Sequence, residues 1–309
     1  MPSFRSDPAS ITGSIAPLFT PFTADGALDH DSLRRMVRWQ LAAGSHGISI
    51  GGSTGEPSSQ TISERAEAIR TIADELGGRA PFLPGTGSAK LEETLELTAI
   101  AREAGADVAL VITPYYARPT QEALYRWYAT VCREFPDLPI ATYNVPVRTA
   151  VEIAPETVGR LYREFDNFVG IKETTKDFEH FSRVKYHARD ILMWSGIELL
   201  CLPVLSLGGT GFVSALCNIA PKAVADMYTA AVSGDLATAM DLHYRLTPLV
   251  DSLFVETNPA PAKWVMARRG LIASDHVRLP LVPLTADGQA QVQALLDQAP
   301  ELLTPVDIA

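Results

Sequence analysis

One lysine sits where the chain is otherwise apolar and β-branched: "FVGIKETT" (168–175) ends a strand-like run on Lys172. Burying an ammonium group costs several kcal/mol unless it is paired or loses its proton. Lys172 therefore implies either a salt bridge to Glu173 or an amine held partly neutral and nucleophilic, unless its stem snorkels to solvent from the strand end. Other groups able to do chemistry lie at the ends of similar runs. In "GGSTGEPSS" (51–59), Gly52 brings backbone close to a ligand, while Ser53 and Thr54 add hydroxyls and consecutive N–H groups that can cradle a carboxylate. The same loop can equally be an ordinary turn whose hydroxyls cap the next helix. "TPYYARPTQEALY" (113–125) carries Tyr115 and Tyr116, and "YNVPVRT" (143–149) carries Tyr143 and Arg148. Tyrosines near an amine can relay protons, and an arginine can clamp a carboxylate bidentately. Taken singly, each is also an ordinary amphipathic or surface residue.

The elements that must position these groups alternate. Eight short apolar runs, at 14–19, 47–51, 81–87, 107–113, 139–145, 168–173, 191–196 and 209–215, are separated by segments with helical spacing such as 31–44, 91–106 and 121–135. Runs apolar on both faces suit a parallel sheet covered by helices. Eight such units predict a (β/α)8 TIM barrel, an α/β fold that builds its active site where strands end and βα loops begin. The barrel is expected over 12–222. Segments 221–254 and 286–298 read as helices, giving a C-terminal helical extension over 223–309. On one barrel rim, the tyrosines, Arg148 and the Ser53–Thr54 loop would converge on Lys172, whose amine could attack a ketone to form an iminium. That is class I aldolase chemistry, with the protonated imine as electron sink and no metal or other cofactor beyond the covalent Schiff base. No HxH, HExxH or clustered Asp/His motif is present.

Composition narrows the partners. The 309-residue chain is 47% hydrophobic with a formal net charge of −10 and no basic run, which argues against nucleic acid or an anionic membrane as partner. Its three cysteines form no CxxC, so neither a disulfide framework nor a zinc site is expected. "MPSFRSDPASITGS" lacks the apolar core of a leader, and no apolar run is long enough to span a bilayer; a cytoplasmic protein is expected.

Over roughly residues 12–290 the chain resembles the dihydrodipicolinate synthase and N-acetylneuraminate lyase superfamily, on the synthase side. The resemblance rests on "GSTGE" (52–56), "TPYYARPTQEALY" (113–125), "YNVPVRT" (143–149), "GIKETT" (170–175), "FVETNPAPAKW" (254–264) and "RLPLVPLT" (278–285). It implies that Lys172 is the Schiff-base lysine for pyruvate and that Tyr143 moves protons at the substrate. Ser53 and Thr54 would hold the pyruvate carboxylate, and Val213 would line the pyruvate pocket. A relay would join Ser53, Tyr143 and Tyr116, the last donated across a subunit interface. Arg148 would receive the carboxylate of an aldehyde acceptor, L-aspartate semialdehyde, in a step of lysine biosynthesis, and the assembly would be a homotetramer built as a dimer of dimers.

Two departures qualify the match. "GGSTGE" is the lyase spelling, whereas synthases usually carry "GTTGE"; a catabolic aldolase or dehydratase acting on another 2-oxo acid is the alternative. The feedback site for lysine is also altered: Pro57, Ser58, Ile62, Arg65 and Ala89 depart from its usual residues and only Glu93 and Tyr115 remain, so weak or absent inhibition by lysine is expected. A non-catalytic binder would predict loss of Lys172 or Tyr143, and both are present.

Overall fold

The computed structural model describes residues 10–306; residues 1–9, which hold most of the N-terminal stretch read above, and 307–309 lie outside the described residues. Seven parallel strands form one curled sheet: β1 (Gly13–Pro17), β2 (Gly47–Ser49), β3 (Ala109–Ile112), β4 (Ile140–Asn144), β5 (Phe168–Glu173), β6 (Leu192–Ser195) and β7 (Gly211–Val213). Their order is β2-β1-β7-β6-β5-β4-β3, so first and last strands are neighbours and only β2 and β3 remain as edges. The run at 81–87 fills that gap. Phe82 bridges Ile48 of β2, and Gly85 bridges Leu110 of β3. Leu83 N donates to Ile48 O (2.8 Å), and Leu110 N donates to Pro84 O (2.9 Å). The segment thus closes the barrel without being a regular strand. Pro81 and Pro84 have no N–H to give, and the ladder is interrupted at each.

Alternation along the strands sorts side chains into two cores. Ile15, Leu83, Leu110, Ala141, Leu192 and Trp194 fill the barrel interior. The other face of each strand packs on the surrounding helices, with Phe168, Ile171, Met193 and Phe212 among the contributors. Helix starts are set by local signals. Asp29 caps His30–Ala42 by accepting from Ser32 N, and Thr61 with Glu64 forms a capping box at Ile62–Leu76. The helix Pro221–Ser233 packs against β1 as the last of the outer ring. The expected boundary after residue 222 falls inside its first turn. The stretch 221–254 then continues as Leu236–Arg245 and Thr247–Ser252, the first break being set by Gly234 at φ +90°. Ala260–Arg268 and Ala286–Leu296 complete the extension. Cys132, Cys201 and Cys217 are free and buried. Among the described residues no helix is long and apolar enough to cross a membrane.

Candidate active site

The residues singled out in the sequence gather at the C-terminal ends of the strands. Tyr143 and Lys172 are register partners near the ends of β4 and β5, so both point into the barrel mouth. Lys172 is buried, and its Nζ stands 4.2 Å from the centroid of the Tyr143 ring. The Tyr143 hydroxyl lies 3.2 Å from Ser53 Oγ, close enough for either to donate. Ser53 belongs to a 3₁₀ turn, Ser53–Gly55, that follows β2. Gly51 permits the turn: it sits at φ +74°, and a Cβ there would lie 2.7 Å from Gly85 O on the closing segment.

A cavity of about 360 Å³ is lined by Lys172, Tyr143, Ser53, Thr54, Arg148 and Val213. A neighbouring cavity of about 210 Å³ shares Ser53, Tyr143 and Arg148 and adds Gly52 and Tyr115. Arg148 is carried by the short helix Pro146–Thr149 after β4 and is exposed at the rim between the two. Val213, at the end of β7, supplies an apolar wall. Tyr116 is the exception among the predicted residues. It lines neither cavity, is 93% exposed, and has a left-handed backbone at φ +75°.

The structure removes one sequence alternative. Glu173 is not the partner of Lys172, because successive side chains on a strand leave by opposite faces. Its carboxylate points outward, accepting from Asn144 Nδ2 (3.1 and 3.0 Å) and Thr175 N (2.8 Å), with His180 Nε2 at 3.1 Å. Among the described residues Lys172 makes no ion pair. Burial lowers the pKa of His180, but the hydrogen bond and charge of Glu173, with Glu152 and Asp177, outweigh it and raise the group above its ordinary value.

Several functional groups escaped the sequence reading. Asn258, buried in the helical extension, lines the larger cavity and donates from Nδ2 to Thr54 Oγ1 at 3.0 Å. A hydroxyl that accepts from Asn258 keeps its own proton free to donate to a carboxylate. "FVETNPAPAKW" contains Asn258, but nothing local says that it folds over a turn 204 positions earlier. The extension grips the turn again two residues on: Glu56, in a left-handed conformation at φ 53°, forms a 2.5 Å ion pair with Lys263, both essentially fully buried. Burial draws Lys263 down to about 8 against the opposing charge of Glu56. Its ammonium also donates to His276 O (2.8 Å) and lies 4.3 Å from the Phe22 ring centroid. Glu56 Oε2 meanwhile accepts from Arg278 N at 3.1 Å. Breaking such a pair costs about 3–5 kcal/mol, so the Ser53–Gly55 turn is anchored from behind. Glu198, after β6, enters the cavity wall and accepts from Ala215 N at 2.9 Å; burial raises its pKa, partly offset by the charge of Lys172. Among the described residues no group of three or more His, Cys, Asp or Glu is placed to hold a metal ion.

The arrangement offers an amine, a phenol and a hydroxyl in contact, with a carboxylate cradle beside them and a guanidinium at the mouth. Comparisons with known proteins point to one family. Residues 10–299 match the profile of the dihydrodipicolinate synthetase family. The chain is similar to the 4-hydroxy-tetrahydrodipicolinate synthase of Thermus thermophilus, with 47% identity over 287 residues, 93% of this chain and 95% of that protein. It is also similar to the solved structure of the chloride-inhibited dihydrodipicolinate synthase of Acinetobacter baumannii complexed with pyruvate. There the TM-score is 0.90 at 36% identity, covering 94% of this chain and 99% of the other. The dihydrodipicolinate synthase of Cyanidioschyzon merolae, solved with lysine bound, gives a TM-score of 0.90 at 32% identity, covering 95% and 99%.

Proposed function

We propose, from the premise that this chain belongs to the dihydrodipicolinate synthetase family, that it condenses pyruvate with L-aspartate semialdehyde through a Schiff base on Lys172, giving 4-hydroxy-tetrahydrodipicolinate for lysine biosynthesis. The observation that carries this reading is the contact chain Lys172–Tyr143–Ser53 inside a cavity with a carboxylate cradle. Lys172 Nζ attacks C2 of pyruvate, and the ketone oxygen leaves as water with a proton supplied through the Tyr143 hydroxyl. The resulting iminium draws electrons from C3, which loses a proton to give an enamine. Enamine C3 then forms the bond to the aldehyde carbon, and the aldehyde oxygen takes up a proton from the Tyr143–Ser53 pair. Attack of the acceptor's own amine on C2 releases Lys172. Ser53 and Thr54, with the N–H groups of their turn, hold the pyruvate carboxylate, and Arg148 clamps the carboxylate of the acceptor.

The enzyme would act in the cytoplasm as a homotetramer built as a dimer of dimers, in which Tyr116 completes the relay of a neighbouring subunit. Its exposure and its left-handed backbone support that role, since a strained tyrosine persists where its surroundings or its use compensate. Inhibition by lysine would be weak or absent. Arg65 is a buried cation donating to Gly85 O (3.0 Å) and Gly87 O (3.2 Å), so a fixed charge stands at one of the altered feedback-site positions.

The reading is tested by incubating the protein with pyruvate and borohydride, followed by intact mass and peptide mapping. A single adduct on Lys172, lost in Lys172→Ala together with turnover of L-aspartate semialdehyde, is expected. An adduct elsewhere, or turnover retained without Lys172, refutes it.

A further inference from the structure

Ile171 packs in the helix-side core, and two residues further along the same face of β5 stands Glu173, a fully buried carboxylate that the chemistry assigned above does not use. A buried carboxylate is tolerated only where donors meet its oxygens. Here they come from three sides. Asn144 Nδ2 bridges both oxygens from β4, Thr175 N donates from the chain just beyond β5, and His180 approaches from the helix Phe178–His187. His180 is itself buried, with Nε2 3.1 Å from Glu173 and Nδ1 2.9 Å from Glu152. Both ring nitrogens therefore face carboxylates, and only an imidazolium can donate through both.

Register puts this cluster directly behind the reacting groups. Asn144 pairs with Glu173 as Tyr143 pairs with Lys172 one residue earlier. Asn144 is held in turn, its Oδ1 accepting from Ile153 N (3.2 Å) and its backbone O from Thr174 N (3.1 Å). The two contacts of Asn144 with Glu173 thus limit sliding and twisting of the end of β5 against the end of β4. That motion would separate Lys172 Nζ from the Tyr143 phenol.

We propose that Glu173, braced by Asn144 and His180, is a positioning residue that sets Lys172 against Tyr143 for attack on the 2-oxo acid, an inference that rests on the Schiff-base reading of Lys172. A carboxylate serving the fold alone would support stability and leave the reaction rate unchanged. This one acts on the rate through the strand end it shares with the lysine.

The test mixes protein with pyruvate, quenches into borohydride at successive times, and reads the maximal rate of adduct formation and the pyruvate concentration that half-saturates it, with denaturant unfolding alongside. Glu173→Ala should lower the maximal rate about 100-fold, the cost of a misplacement of roughly 1 Å. Glu173→Gln keeps the shape and one carbonyl for Asn144, so it should recover about tenfold of that loss. The half-saturating concentration should stay within about threefold of the parent, because Ser53 and Thr54 hold the carboxylate from a separate turn. His180→Leu leaves β5 and its bonds to Asn144 in place and should lower the maximal rate about tenfold, which keeps the test decisive if Glu173→Ala does not fold. Maximal rates within about threefold of the parent in the variants that fold, or a loss confined to the half-saturating concentration, overturn the positioning role. Adduct formed on Lys172 at the parental rate in these variants sinks that role alone, and no adduct on Lys172 in the parent sinks the Schiff-base reading with it.

Discussion

Replacing Gly196 with alanine should disable the enzyme while leaving it folded. Gly196 follows β6, where its N–H donates to Glu173 O at 2.8 Å. A Cβ at this position would stand 2.6 Å from Lys172 Cε and 2.4 Å from Thr174 Cγ2. Ordinary carbon–carbon contact begins at about 3.5 Å, so roughly 1 Å must be recovered. The backbone is held by the strand bonding. Thr174 is β-branched and its hydroxyl is bonded to Asn144 O, so it resists rotation. The end of the Lys172 side chain is the part that can yield, and moving it takes Nζ away from Tyr143. A displacement of about 1 Å in a reacting group costs on the order of 10²-fold in rate. The overpacking itself should cost about 1–3 kcal/mol of stability. Turnover and the rate of borohydride trapping are therefore expected to fall about 100-fold, while the melting transition stays cooperative and drops by only several degrees. A variant whose kcat and trapping rate remain within about threefold of the parent would refute the claim that Gly196 shapes the position of the lysine.

Tyr143→Phe keeps the ring against Lys172 but removes the hydroxyl that reaches Ser53, so kcat should fall by about 10²–10⁴-fold in steady-state assays. Arg148→Ala should raise the KM for L-aspartate semialdehyde by about ten- to a hundredfold, the loss of a charged hydrogen bond worth about 1.5–3 kcal/mol, while pyruvate trapping continues. The clamp between Arg278 and Glu64 makes stability depend on acid. Hydrogen bonding to Arg278 draws Glu64 down to about 2 from 4.5. Between those values the unfolded chain binds the proton and the folded one does not, so stability present above pH 4.5 is lost as pH falls toward 2. Denaturant unfolding at several pH values should show that slope reduced in Glu64→Gln; an unchanged slope would exclude the clamp as its source.

Much of this protein is written locally. The recurring apolar runs specify strands buried on both faces, and their alternation with helical segments specifies the barrel, because periodicity is a property of neighbouring residues. The same logic exposes Lys172, since an ammonium at the end of such a run requires an explanation. The tyrosine and arginine of "YNVPVRT" and the hydroxyls of "GGSTGE" are equally legible as strand-end chemistry, because the barrel topology puts all strand ends on one rim. Other features belong to the tertiary structure. Whether Lys172 paired with Glu173 depended on which face of β5 turned inward, and packing decided it by burying Glu173 against Asn144 and His180. The run at 81–87 looked like an eighth strand, yet its prolines can only bridge the two open edges once β2 and β3 have been brought to either side of it. Tyr116, which the resemblance assigns to a relay, faces solvent on a single chain. Asn258 and Lys263 reach back across the barrel mouth to hold Thr54 and Glu56, and Glu198 enters the cavity wall from the loop after β6. No spacing rule predicts such contacts. They join residues that are distant in sequence, and their partners are fixed only when the whole chain has closed around its core.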